Sequence, residues 1–118
     1  MTDTAQLTER HRELLDQVLD KWSLQILDAL CGSGPLRFNG LRRAIPVVTQ
    51  KSLVAALRRL ERNGMVERVV MNTRPIAVEY RLTPLGKSLQ DLIDALLLWT
   101  TVTLPDVERA RVRFDDQA

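Results

Sequence analysis

The sequence predicts a mainly α fold of the α+β class, and three observations carry that expectation. Apolar residues recur at three- and four-residue steps in four separate stretches, the period of half-buried helices. Two short runs rich in β-branched residues stand either side of Asn72-Thr73-Arg74-Pro75, the pattern of a hairpin. Hydroxyl and amide residues open the helical stretches, and Gly or Pro closes them.

Met1 to Gln6 is polar and is expected to be frayed. Thr8, with Glu9 and His11, opens a first helix on which Leu7, Leu14, Leu15, Val18 and Leu19 share a side. A second helix is expected at about Trp22 to Leu30, with Trp22, Ile26, Leu27 and Leu30 inward; Gly32, Ser33, Gly34 and Pro35 stop it. Leu36 to Phe38 reads as a short extended piece. Asn39 is expected to cap a third helix, Gly40 to Ala44, with Leu41 facing inward and Pro46 ending it. After a turn at Val47 and Val48, Thr49 caps a fourth helix running to about Arg62, and Asn63-Gly64 is its stop signal. Met65 to Met71 and Ala77 to Leu82 pair as strands. Thr83 caps a last helix with Pro84 at its first position, expected to end near Val102, before Pro105. The charged tail from Asp106 to Ala118 is expected to be loosely held. The order helix, helix, short strand, helix, helix, hairpin, helix is a winged helix-turn-helix with an additional helix at each end. At 118 residues the chain is expected to be one domain, 1–118, with 7–20 and 83–103 as dimerisation helices.

Charge is distributed unevenly along this order. Arg37 to Arg81 carries ten Lys/Arg and three Asp/Glu, whereas the other 73 residues carry seven and twelve. A net charge of +2 thus hides a cationic segment that coincides with the central helix pair and hairpin, the electrostatic footprint of a nucleic-acid-binding surface. Chemistry of other kinds finds little support. The single histidine, His11, and single cysteine, Cys31, do not make a metal site, so no metal and no cofactor is expected. Gly32-Ser33-Gly34-Pro35 lacks the lysine and helix of a phosphate-binding loop, and Asp91 and Asp94 sit one turn apart as solvated helix charges. The chain is therefore not expected to be an enzyme. No secretory signal and no apolar run of membrane-spanning length is present, which points to a cytoplasmic protein without membrane partners.

The fourth helix supplies the sharpest expectation. At about 100° per residue, Ala56, Leu57 and Leu60 cluster within about 60° of Leu53 and face the core. The opposite face holds Lys51, Ala55, Arg58 and Arg62, with Gln50 and Val54 toward one flank and Ser52 and Arg59 toward the other. Base reading is assigned to Gln50, Lys51, Ser52, Val54, Ala55 and Arg58: Lys and Arg suit guanine O6/N7, Gln suits adenine, and alanine lets the backbone approach. Backbone and wing contacts are assigned to Arg37, Asn39, Arg42, Arg43, Thr49, Arg59, Arg62, Asn72, Thr73 and Arg74. With six to eight phosphates neutralised, log affinity is expected to fall against log salt with a slope of roughly −5 to −7.

Several motifs in order resemble one known family. Lys21-Trp22-Ser23-Leu24-Gln25-Ile26-Leu27, Arg37-Phe38-Asn39-Gly40-Leu41-Arg42-Arg43, Gln50-Lys51-Ser52-Leu53, Leu57-Arg58-Arg59-Leu60-Glu61, Gly64-Met65-Val66, Val78-Glu79-Tyr80-Arg81-Leu82-Thr83 and Leu85-Gly86-Lys87-Ser88-Leu89 are similar to the signatures of HxlR-type winged-helix transcriptional regulators of bacteria and archaea. The resemblance covers about Leu15 to Trp99. It implies a cytoplasmic, nucleoid-associated homodimer that binds double-stranded operator DNA, with the first and last helices at the dimer interface. Leu7, Leu14, Leu85, Leu89, Leu92, Ile93, Leu96 and Trp99 are assigned to that interface; the last helix carries more apolar surface than one side requires. The chain departs from the family in three places. It lacks the N-terminal cysteine found in many members, Gly40 replaces a usual glutamate, and Ala77 replaces a common arginine. Cys31, at the end of an apolar helix, reads as a small apolar residue.

The expected function is sequence-specific control of a promoter by a homodimer on a pseudo-palindromic operator, its two recognition helices about 34 Å apart. Apolar space between the dimer helices and the winged core could admit a small hydrophobic effector, but no convergent polar groups identify one. The alternative is a winged-helix module for protein contacts without DNA binding, against which Arg42, Lys51 and Arg58 argue.

Overall fold

Leu53, Leu57 and Leu60 of the fourth helix, Ile26, Leu27 and Leu30 of the second and Leu41 of the third meet with almost no solvent exposure. Burying each such side chain contributes about 1.5–3 kcal/mol, which makes this three-helix junction the main source of stability. The computed structural model describes residues 6–117. The expectation for Met1 to Gln6 therefore lies outside the described residues, apart from Gln6, as does the last residue of the tail.

The elements are α1 (Glu9–Val18), α2 (Lys21–Ser33), β1 (Leu36–Arg37), α3 (Phe38–Ala44), α4 (Gln50–Arg62), β2 (Val66–Met71), β3 (Ala77–Leu82) and α5 (Pro84–Asp116). The three strands form one antiparallel sheet in the order β1-β3-β2. Leu36 lies opposite Tyr80, and Arg68 opposite Tyr80 from the other side. The architecture is a winged helix-turn-helix: α3 and α4 form the helix pair, β2 and β3 the wing, and α1 and α5 flank them.

Local chemistry explains the boundaries. Thr8 caps α1 in a reciprocal box, accepting from the His11 amide while its own amide donates to His11 Nδ1 at 3.2 Å. Asp20 caps α2 by accepting from the Ser23 amide. Thr49 Oγ1 accepts from the Ser52 amide at 3.0 Å and opens α4. The other end of α4 closes in a Schellman motif: Met65 N–H reaches Leu60 O and Gly64 N–H reaches Glu61 O, with Gly64 at φ +78°. That same turn seats α5. Thr83 Oγ1 donates to Gly64 O at 2.5 Å and accepts from the Gly86 amide at 3.0 Å. A Cβ at Gly86 would stand 2.0 Å from Met65 O, so α5 lies directly on the backbone of the α4–β2 turn.

Several expectations need correction. α3 begins at Phe38 with Arg37 in the N-cap position and no side-chain cap, so Asn39 is an exposed residue of the first turn and not the cap. α2 runs three residues further than expected, to Ser33, before Gly34 ends it at φ 77°. Cys31 lies one residue past Leu30, the last core residue of α2, and is exposed. The largest difference is α5, which passes through Pro105 and continues to Asp116. Proline removes one backbone donor, but the helix passes through it, and Asp106 pairs with Arg109 one turn beyond. The Thr101 and Thr103 hydroxyls donate to Leu97 O and Trp99 O in the turns just before the proline. The charged tail is thus helical as far as Asp116. No helix among the described residues is long and apolar enough to cross a membrane.

Candidate nucleic-acid interface

α4 presents its two faces as its periodicity requires. Leu53, Ala56, Leu57 and Leu60 are buried, and Gln50, Lys51, Val54, Ala55 and Arg58 are exposed. The exposed set, together with Arg59, forms one open, shallow face of the helix. Ser52 is half-buried, because it sits on the flank toward the core and its amide is held by Thr49. Thr49 itself is exposed at the tip of the helix.

Three further sets of exposed cationic or polar residues lie on α3, on β1 and at the wing tip. Asn39, Arg42 and Arg43 line an open cleft with Pro46 at the end of α3. Arg37 is exposed on β1. Asn72, Thr73 and Arg74 lie exposed at the wing tip, where the Thr73 hydroxyl donates to Pro75 O at 2.8 Å and so closes the turn.

The pairing of charges decides which cations are available. Arg59 Nη2 donates to Asp20 Oδ2 at 3.1 Å, and both side chains are only about one-third exposed. Arg59, assigned to phosphate contact, is thus already partnered and ties α4 to the cap of α2. Arg62 leans the same way, donating to Gln17 Oε1 at 3.4 Å, where Asn63 Nδ2 also donates at 2.8 Å. The last turn of α4 is therefore tethered to α1 and α2, while its first two turns are uncovered. Arg81 is paired across the wing with Glu67 at 3.2 Å. Among the described residues, Arg37, Arg42, Arg43, Lys51, Arg58, Arg68 and Arg74 make neither an ion pair nor a side-chain hydrogen bond, and all are exposed.

Arg68 is the residue that the sequence reading missed. It shares a cleft with Phe38, Val54, Leu57, Arg58, Glu61 and Tyr80, between α4 and the wing. Strand alternation held the signal. Val66, on the same side of β2, is buried against the core, so Arg68 two residues on faces the α4 side.

The flanking helices leave apolar surface uncovered. Leu7 and Leu14 on the α1 side, and Leu85, Leu92, Leu96 and Trp99 of α5, are all at least two-fifths exposed, Trp99 at 58%. Two of the residues assigned to the dimer face are less exposed. Ile93 is 4% exposed within the core, and Leu89 packs against it half-buried. Gly86, Gln90 and Ile93 follow one helical stripe, and that stripe meets the core. Near this stripe Lys87 donates to Asp91 Oδ1 at 2.6 Å, and that bond and charge hold its ammonium above the usual lysine range.

The comparisons agree with this geometry. Residues 17–108 match the family model described as HxlR-like helix-turn-helix. The chain is 40% identical over 100 residues to the HTH-type transcriptional regulator YtfH of Escherichia coli (strain K12), covering 85% of this chain and 79% of that protein. It is 37% identical over 79 residues to the HTH-type transcriptional regulator YodB of Bacillus subtilis (strain 168), covering 67% of this chain and 70% of the relative. Among solved structures, the transcriptional regulator ytfH from Salmonella typhimurium superposes with a TM-score of 0.72 at 41% identity, over 85% of this chain and 88% of that one. Diamide-treated YodB from B. subtilis superposes at 0.73 with 30% identity, over 82% and 95%. With its motifs, its helix pair and its wing in the family's order, this chain belongs to the HxlR-like helix-turn-helix family and is a transcriptional regulator of the helix-turn-helix type.

Proposed function

We propose that the chain is a sequence-specific, double-stranded-DNA-binding regulator that acts as a cytoplasmic homodimer on a pseudo-palindromic operator. One observation carries the reading: α4 bears Gln50, Lys51, Val54, Ala55 and Arg58 on a single exposed face, with no partner for its cations among the described residues. A helix so presented suits the major groove, with Lys51 and Arg58 donating to guanine and Gln50 pairing with adenine. Arg37, Arg42, Arg43 and Arg74, all exposed, are assigned to phosphates on either side. The exposed apolar residues of α1 and α5 support self-association, because patches of this extent on soluble proteins usually mark a partner surface.

A mobility-shift assay on the chain's own upstream region, and on duplexes selected from a random pool, tests the DNA reading. Binding is expected for the wild type and a loss of at least tenfold for Lys51→Ala/Arg58→Ala, about 1–3 kcal/mol for each lost base contact. Unchanged binding in the double variant would remove α4 as the reading element. No binding to any duplex would favour the protein-contact module. Sedimentation of Leu92→Asp/Leu96→Asp tests the dimer: it should run as a monomer where the wild type runs as a dimer.

A further inference from the structure

Val54 is the one large apolar side chain of α4 that does not enter the core. It is 41% exposed, whereas Leu53, Leu57 and Leu60 are at most 2% exposed. It lies between Lys51 and Arg58 on the exposed face of α4, and it also borders the cleft that holds Arg68 and Tyr80. An apolar group in the middle of a cationic face adds nothing to phosphate attraction. Its branched side chain is stiff at χ1, so its two methyl groups are held in place at little entropic cost. The feature of a major groove that such a group fits is the C5-methyl of thymine, the only methyl that an ordinary base pair presents there.

We infer that Val54 is a specificity residue that reads one thymine methyl in each half-site. The inference rests on the DNA-binding reading above and adds a base identity to it. Axial spacing places that thymine. Val54 stands about 4.5 Å along the helix from Lys51 and about 6 Å from Arg58. At about 3.4 Å per base pair, the thymine lies one to two pairs from each base that those cations read. The exposed Ala55 beside Val54 keeps the surface low, so that the helix seats deeply enough for the contact.

The test uses the full chain and its selected operator, with each thymine of both half-sites replaced in turn by deoxyuridine, which removes only the methyl. Wild-type affinity is expected to fall about three- to fivefold per half-site at a single symmetric position, the change that burial of one methyl corresponds to. Val54→Ala should bind the thymine and uracil operators equally at that position while keeping its dependence on the neighbouring guanines. Because Val54 is exposed, its replacement should leave the melting temperature unchanged, which circular dichroism checks. Specific binding with no uracil-sensitive position, or a Val54→Ala protein as uracil-sensitive as the wild type, would overturn the assignment and leave the DNA reading standing. Absence of binding to any duplex would overturn both.

Discussion

Replacing Gly86 with alanine tests whether α5 is seated on the α4–β2 turn as tightly as the structure shows. The new Cβ would stand 2.0 Å from Met65 O, 2.9 Å from Met65 C and 3.1 Å from Leu82 Cδ2. A carbon needs about 3.3 Å from a carbonyl oxygen, so α5 has to withdraw by roughly 1 Å. Met65 O belongs to backbone held by the Schellman turn and by the Thr83 amide, so it has little freedom to yield. Overpacking of this kind costs about 1–3 kcal/mol. Withdrawal also strains the Thr83 hydroxyl bonds to Gly64 and Gly86, at about 1 kcal/mol each. The better helix propensity of alanine returns about 1 kcal/mol. The net loss is about 3 kcal/mol, which lowers the melting temperature by roughly 10–15 °C for a domain of this size. Thermal denaturation followed by circular dichroism measures it. Gly32→Ala is the control: Gly32 is also helical, but a Cβ there meets nothing within 4 Å, so that variant should melt at or slightly above the wild type. A Gly86→Ala protein melting together with the Gly32→Ala protein would refute the packing argument.

Three further outcomes follow from the same contacts. If Arg37, Arg42, Arg43 and Arg74 each meet one phosphate in both protomers, log affinity against log salt should have a slope of about −7, and Arg42→Ala/Arg43→Ala should flatten it by roughly 3 to 4, measured by fluorescence anisotropy. Asp20→Ala removes both the cap of α2 and the partner of Arg59, so it should cost about 1–2 kcal/mol in urea denaturation; Arg59→Ala should cost less, because that pair is partly solvated. Pro105→Ala restores a backbone donor inside α5 and should slow amide exchange across the turns around it, with no loss of stability.

Most of the fold was legible because its signals are local. Thr49 and Thr83 mark helix starts by side-chain chemistry that acts over three residues, and Leu53, Leu57 and Leu60 mark a buried face by spacing alone. What was not legible depends on long-range geometry. Arg59 and Asp20 are 39 positions apart, and nothing at either position announces the pair. Leu92 and Ile93 are both apolar neighbours on α5, but which of them meets the core is fixed by the angle at which Gly86 seats that helix. Pro105 was read as a stop because proline usually ends helices; its loss of one donor leaves the rest of the backbone ladder intact, and the helix runs on to Asp116. Asn39 has the chemistry of a cap, yet α3 starts right after the β1–β3 pairing, at Phe38, two residues too early for that role.

On the proposed reading, the tethers on α4 link the dimer helices to the face that would read DNA. α1 holds the last turn of α4 through Gln17, which accepts from both Arg62 and Asn63. α5 holds the same end through Thr83 and Gly86, which bear on Gly64 and Met65 of the closing turn. Both helices proposed to join the dimer thus grip the C-terminal end of α4, while its N-terminal end, with Gln50 and Lys51, is unsupported by either. A 13-residue helix is about 20 Å long, so a rotation of about 5° at the gripped end moves the reading end by nearly 2 Å. A hydrogen bond to a base edge tolerates only a few tenths of an ångström. In the proposed dimer, therefore, the packing of α1 and α5 sets operator spacing, whereas the side chains of α4 set operator sequence. Signals that alter that packing would act on spacing while leaving base preference intact.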